Sequence, residues 1–321
     1  MKILLLIIFG CLTGGLLAQP ASSNKVEIVW TGPTNNWQSS LWVYKLVPQV
    51  FPPAMISNLL AMTAFKMADN TGTNGRWVYD WNDLNFETPD QKRHLWICPT
   101  YGYIEYEDST AIAQGDKPSH GVLSDEQVYP LALDQLRKLA IDRSQLATRP
   151  STNAVFGPND LGIRREERSE GWIDQKTHKN VDYVLRRGIY FVRQVDGVQI
   201  DGILHGGVFM SFGDDAKLAA LQVTWRGLEP HELRPTLTPG QIMEKIRQGH
   251  NAQWGPDPPA GIVTKIRIFG FDTFYRGEPG NTDPEKQMHY LEPGVMIYAY
   301  VGDGGTNDEK CFVRMPILPD K

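Results

Sequence analysis

Apolar and polar residues along this chain switch repeatedly between a period of two and a period near 3.6, and the switches mark its elements. SLWVYKLVP (residues 40–48) alternates as one strand, which Pro48 and Pro52-Pro53 close. Met55, Ile56, Leu59, Leu60 and Met62 to Phe65 then recur at helical spacing, and Pro53 suits a first helical turn, so a helix is expected over about 53–68. HLWICPTYGYIEYED predicts two short strands turning at Thr100 to Gly102. Ser124 with Gln127 forms a capping-box pattern ahead of a second helix whose apolar face is Leu131, Leu133, Leu136, Leu139 and Ala140. Pro130 should kink that helix or delay its start. Residues 144–186 are turn-rich, and their charged run IRREERSE reads as a solvated loop or sheet edge.

The region from Gly188 to Gly249 reads most clearly. GIYFVRQVDGVQIDG, GGVFMSFGDD and KLAALQVTWRGLEP are strands reversing at Asp196-Gly197 and Asp214-Asp215. A capped helix follows, opened by Thr238 with Gln241 and ended by Gly249 in the left-handed region. GIVTKIRIFGFDTFYRG, GVMIYAYVGD and KCFVRMPIL add three strands. Helix followed by strands thus occurs three times, which predicts an α+β fold of two or three helix-on-antiparallel-sheet units. The expected divisions are 39–120, 121–236 and 237–321, the third able to share a sheet with the second.

Residues 1–18, MKILLLIIFGCLTGGLLA, carry the basic start, short apolar run and small-residue end of a signal peptide, and 19–38 form a polar leader. The protein is therefore expected outside the cytoplasm, periplasmic or secreted. Ile8-Phe9-Gly10-Cys11 is a loose lipid-attachment pattern, and membrane association requires that this segment be retained or lipidated. Net charge is −5 for the 321 residues and −6 without residues 1–18, where Lys2 is the only charge; an acidic chain is a poor match for nucleic acid or an anionic membrane. Cys98 and Cys311 sit in apolar strand-like runs and are expected to be buried and unpaired.

The search for chemistry yields few candidates. No two of the seven histidines stand three or four apart, and His231-Glu232 lacks the second histidine of a zinc helix, so no metal or cofactor is expected. His205-Gly206-Gly207 resembles an oxyanion loop, yet Ser211 lies in MSFG rather than a nucleophile elbow. Glu105, Glu107 and Asp108 are the carboxylates that glycoside hydrolysis would need. Asp69 to Gly75 and Asp303 to Glu309 imitate calcium-ligand runs and serve equally as turns. Nine tryptophans are many; Trp225 reads as core, whereas Trp30, Trp37, Trp42, Trp77, Trp81 and Trp254 lie near loops or strand edges. The binding candidates are Trp37, Trp42, Trp77, Trp81 and Trp254.

VYKLVP, GYIEY, FVRQVDGVQIDG with VFMSFGDDAKLAALQVTWRGL, and YLEPGVMIYAYV together resemble the YycH/YycI group over most of residues 39–318. The resemblance implies repeated PepSY-like or cystatin-like α+β modules and a non-enzymatic extracytoplasmic protein that touches another protein. It brings no catalytic residues. The expected function is binding of a peptide or protein partner in the cell envelope through sheet faces or edges. The alternatives are a secreted hydrolase acting on glycans or peptides, and a carbohydrate-binding protein.

Overall fold

The computed structural model describes residues 26–72, 82–112, 120–147, 163–173, 180–201, 206–249, 253–255, 263–276, 289–305 and 308–319; for 163–173, 180–183, 253–254, Asp125 and Asp201 it describes the backbone alone. In chain order the elements are β1 (Glu27–Trp30), β2 (Ser40–Val47), α1 (Pro53–Thr63), β3 (Leu84–Glu87), β4 (Arg93–Cys98), β5 (Tyr103–Asp108) and α2 (Asp125–Lys138). Then come β6 (Ile163–Ile173), β7 (Asn180–Val192), β8 (Gln194–Val195), β9 (Val198–Asp201), β10 (Gly207–Phe212), β11 (Leu218–Thr224) and β12 (Gly227–Pro235). The last are α3 (Pro239–Gln248), β13 (Gln253–Gly255), β14 (Lys265–Arg276), β15 (Tyr290–Gly302) and β16 (Glu309–Pro316).

Local signals placed these elements well. Gln127 accepts from the Ser124 amide at 2.9 Å, as a capping box requires, and Pro130 lies inside α2. Thr238 and Gln241 cap α3, and Gly249 ends it at φ 69°. Asp196 (φ 51°) and Gly197 (φ 74°) form the two-residue turn between β8 and β9, where positive φ at both positions suits the right-handed twist of a hairpin. The charged run Ile163 to Glu170 is strand, on the edge of a sheet.

The expected fold class is overturned. The described chain is mostly strand, with three α-helices and two large sheets in place of two or three helix-on-sheet units. One sheet has seven strands in the order β3-β4-β5-β11-β10-β7-β6, every neighbour antiparallel. The other has nine strands, with β12-β2-β15-β14-β9-β8 as its main path. There β14 and β15 pair along their length, and each shares its other edge between two strands: β1 and β9 on β14, β2 and β16 on β15. Strand β2 of the segment 39–120 thus lies beside β15 of the segment 237–321, and β8, β9 and β12 leave their neighbours in sequence to join the same sheet. The PepSY-like or cystatin-like repeats have no counterpart in this pairing. Periodicity located the strands, but pairing between distant strands decides the architecture, and alternation carries no information about it.

Each sheet packs its main core on one face. Met55, Leu59 and Leu60 of α1 and Val128, Ala132 and Leu136 of α2 pack with Leu95, Ile97, Ile104, Tyr106, Val208, Met210, Leu221 and Val223, which alternate along the seven-stranded sheet. Ile242 and Ile246 of α3 pack with Ile266, Ile268, Val295, Ile297 and Val313 of the nine-stranded sheet. Cys98 is buried in β4 and Cys311 in β16, on different sheets, and neither forms a disulfide.

The chain passes between the sheets four times, and three of the passages meet at Arg193, which is 5% exposed. Its backbone, between β7 and β8, donates to the Gly206 carbonyl and accepts from Ile200, each at 2.9 Å. Its guanidinium donates to Gln145 Oε1 through Nε (3.2 Å) and Nη2 (2.9 Å), and to the Arg226 carbonyl through Nη1 at 2.7 Å, while lying 4.4 Å above the Trp225 ring. Among the described residues no carboxylate pairs with it. Burial pushes its pKa down to about 10, so it stays charged at neutral pH. Beside it, the Trp225 amide donates to the Gly102 carbonyl at 2.6 Å, and a Cβ on Gly102 would lie 2.5 Å from the Arg226 nitrogen. Hydrogen bonds to a charged group contribute ~1.5–3 kcal/mol each. Arg193→Ala is therefore expected to lower unfolding stability by at least ~3 kcal/mol in urea titration, and Arg193→Lys, which keeps the charge without the planar fork, to recover only part of the loss.

Candidate binding faces

Two surfaces gather the residues with the chemistry to bind something. The first is the exposed part of the nine-stranded sheet where β12, β2 and β15 adjoin. Trp42 stands opposite Leu233; Lys45, three positions on and so on the other side of β2, stands opposite both Glu229 and Tyr290. Trp42, Leu233 and Tyr290 are 37%, 52% and 38% exposed, unusual for large apolar side chains on paired strands. The pairing of β12 with β2 shifts register between Pro230 and Glu232, leaving His231 as an extra residue whose ring lies 4.8 Å from Tyr290. Behind this face the backbone is pinned. The Tyr275 hydroxyl donates to the Trp42 carbonyl at 3.0 Å, and Tyr44, 5.5 Å from Tyr275, donates to Asp196. Burial raises the pKa of both tyrosines, so both remain donors.

Trp42 is the tryptophan among the expected binding residues that this surface presents. Trp37 is half-buried, donates from its indole to the Leu237 carbonyl at 2.9 Å, and packs 5.6 Å from Trp30 and 4.7 Å from Phe271, an aromatic cluster that pins the leader. Trp77 and Trp81 lie outside the described residues, and Trp254 is described by backbone alone, in β13 opposite Val313.

The second surface is the outer face of the seven-stranded sheet. Glu105 lies between Trp96 on β4 and Gln222 on β11, and Glu107 between His94 and Ala220. The Tyr103 hydroxyl donates to Glu105 Oε2 at 2.6 Å, and Gln222 Nε2 donates to that hydroxyl at 3.1 Å. His94 Nε2 lies 3.9 Å from Glu105 Oε1, an ion-pair approach rather than a hydrogen bond. This histidine, followed by the Tyr103 hydroxyl, holds the Glu105 carboxyl below its ordinary range, against burial, which acts the other way. Tyr103 is pushed up, by burial first and then by Glu105.

The other chemical candidates resolve into structural roles. Asp108 caps the turn after β5, accepting from the Thr110 amide at 2.8 Å. Ser211 is fully buried on β10, three strands from His94, ~14 Å at the usual strand spacing and too far for proton transfer. His205 lies outside the described residues. Asp69 accepts from the Lys66 amide, Asn70 from the amides of Gly72 and Asn85, and Asp308 from the Gly304 amide and Arg267, so these described oxygens of the two calcium-like runs are engaged within the protein. Among the described residues no three His, Cys, Asp or Glu side chains group as metal ligands. Gln222 and Leu233 carried no readable signal, being ordinary strand residues until distant partners give them neighbours.

These features define a two-sheet, mainly β protein. No protein-family model and no curated protein matches the chain. Among solved structures it is similar to an uncharacterized protein from Eubacterium rectale ATCC 33656, at 10% identity and a TM-score of 0.43, over 90% of this chain and 86% of that one.

Because Glu105 is held below its ordinary value of 4.5, its ionised form favours the folded state. That contribution is complete above 4.5 and is lost as pH falls through the lowered folded value. Glu105→Gln is accordingly expected to lower the melting temperature by roughly 1–2 °C at pH 7, with the difference from the unaltered protein vanishing toward pH 3 in a calorimetric pH series.

Proposed function

We propose that the protein is a non-enzymatic, extracytoplasmic interaction protein that binds a peptide or protein partner through the Trp42 face. The observation that carries this reading is the exposure of Trp42, Leu233 and Tyr290 on adjoining strands, with Trp42 held by a buried tyrosine. An aromatic side chain on rigid backbone is the usual energetic anchor of a protein interface, contributing ~2 kcal/mol or more.

Faces are favoured over edges because three of the described edge strands are guarded. β12 carries Pro230 and Pro235 with exposed Glu229 and Glu232; β6 carries the charged run; β3 has four residues and is met by Asn70 and Thr71. Proline, charge and shortness are the standard protections against strand addition. The hydrolase alternative has less support, since a glycosidase acid needs a raised pKa, whereas Glu105 is held low and Asp108 caps a turn. Residues 1–18 supply the route out of the cytoplasm in this reading, and the resemblance to the YycH/YycI group agrees with a protein partner.

The test is photo-crosslinking in cells that make the protein, with the reactive group placed at position 42 or, as a control, at Lys66. A discrete protein adduct is expected from position 42 alone, and Leu233→Asp is expected to reduce it at least tenfold. Equal labelling from both positions, or an adduct indifferent to Leu233→Asp, would overturn the reading.

A further inference from the structure

We propose that a third surface, around Tyr300 on the face of β14, β15 and β16 that turns away from α3, binds an acidic glycan whose sugar rings carry carboxylates. The site is separate from the Trp42 surface and does not depend on it.

Ala299 and Val301 lie in the core with α3, so Tyr300 between them points to the opposite face. β15 is paired on both sides here: Lys310 of β16 stands opposite Tyr300 on one flank and Arg267 of β14 on the other. A large ring in mid-sheet is ordinarily covered, yet Tyr300 remains 38% exposed. Next to it the pairing of β14 with β15 shifts register between Ile268 and Gly270. The bulge sets Phe269 on the same face, its ring 4.7 Å from that of Tyr300 and 6.2 Å from that of Tyr298.

The unspent polar groups around this ring are donors. Lys310 is exposed, its ammonium lies 5.4 Å from the Phe269 ring, and no carboxylate among the described residues pairs with it. The Arg267 guanidinium lies 5.6 Å from the Tyr300 ring; it gives one hydrogen bond, from Nη2 to Asp308 at 2.9 Å, and none from Nε. The Asp308 side chain is 3% exposed against 38% for Arg267, so the guanidinium rather than the carboxylate meets solvent. The Tyr300 hydroxyl has no hydrogen bond to a described residue. The row is therefore cationic on a chain whose total charge is −5, and the complementary ligand is one that supplies negative acceptors.

The geometry favours a sugar over a peptide as the carrier of those acceptors. β15 is bonded along both sides and offers no backbone edge for an added strand. Its two flanking cations stand on strands ~10 Å apart with the exposed ring between them. The C–H face of a pyranose is apolar and its substituents project sideways, so a sugar resting on Tyr300 carries a carboxylate toward Lys310 or Arg267. A neutral sugar uses the ring and leaves both cations unmatched. The ring contacts of Lys310 and Arg267 hold both cations in place before any ligand arrives, which lowers the ordering cost of binding.

The experiment is calorimetric titration of the full chain with tetragalacturonate, cellotetraose and tetraglutamate in low salt. Tetragalacturonate is expected to bind best and to weaken as salt is raised. Tyr300→Thr removes the ring, keeps a strand-forming residue, and should weaken that binding at least tenfold. Lys310→Gln removes an exposed charge and should weaken it threefold or more, whereas Lys66→Gln, the same change outside this face, should leave it unaltered. Four results would each overturn the proposal: no binding of tetragalacturonate, equal or tighter binding of cellotetraose or tetraglutamate, unaltered affinity in Tyr300→Thr or Lys310→Gln, or an equal loss in Lys66→Gln.

Discussion

The arrangement of the two sheets depends on one buried cation. Among the described residues Arg193 has no carboxylate to neutralise it, yet it is not stranded: its donors reach Gln145 and the Arg226 carbonyl, and its planar face lies on Trp225. A guanidinium suits this post because it stays charged even when burial lowers its pKa, and because its rigid fork sets direction as well as distance. Three of the four passages between sheets touch it, through its own backbone, through Gly206 and through Trp225-Arg226. Desolvating such a charge is expensive, and the cost is met only when every partner is in place. The same group that joins the sheets therefore also selects one way of joining them.

From that joint the two sheets diverge in character. Each commits one face to helices and an apolar core, as a two-layer architecture must. Their exposed surfaces differ: the nine-stranded sheet presents Trp42, Leu233 and Tyr290 on adjoining strands, the seven-stranded sheet a fixed carboxylate amid tyrosine, tryptophan and glutamine. With β12, β6 and β3 guarded against strand addition by proline, charge or shortness, side chains on these faces are the better surface for recognition. Both faces are built on strands whose backbones are held from behind, which keeps the ordering cost of binding low.

What the sequence disclosed followed the range of the interactions involved. Caps at Ser124 and Thr238, the left-handed Gly249 and the Asp196-Gly197 turn each depend on residues within a few positions, and each was legible. Glu105 and Glu107 could be placed on one face by counting alternate positions. Their partners could not: Gln222 reaches Tyr103 across 119 residues. Trp42 could be assigned to a strand, but the strand opposite it, with its register shift at His231, lies nearly two hundred positions away. The three-unit expectation failed for the same reason. Alternation shows that a strand has a buried side without showing what covers it, and helix followed by strands is a rhythm that many sheet topologies share.

The edge-sharing of β14 and β15 has a temporal consequence. Strand β2 finds its partners in β12 and β15, and Thr31, at the end of β1, bonds to Ile268 across 237 residues. The nine-stranded sheet therefore cannot close on a growing chain until nearly all of it has been made, whereas α1, α2 and β3 to β5 have their early neighbours within reach much sooner. Distant pairings of this kind carry a large loop-closure cost and slow the search for the native state. The sheet bearing Trp42 is thus the last part of the molecule to exist, and until then its apolar strands stand open to whatever else is nearby.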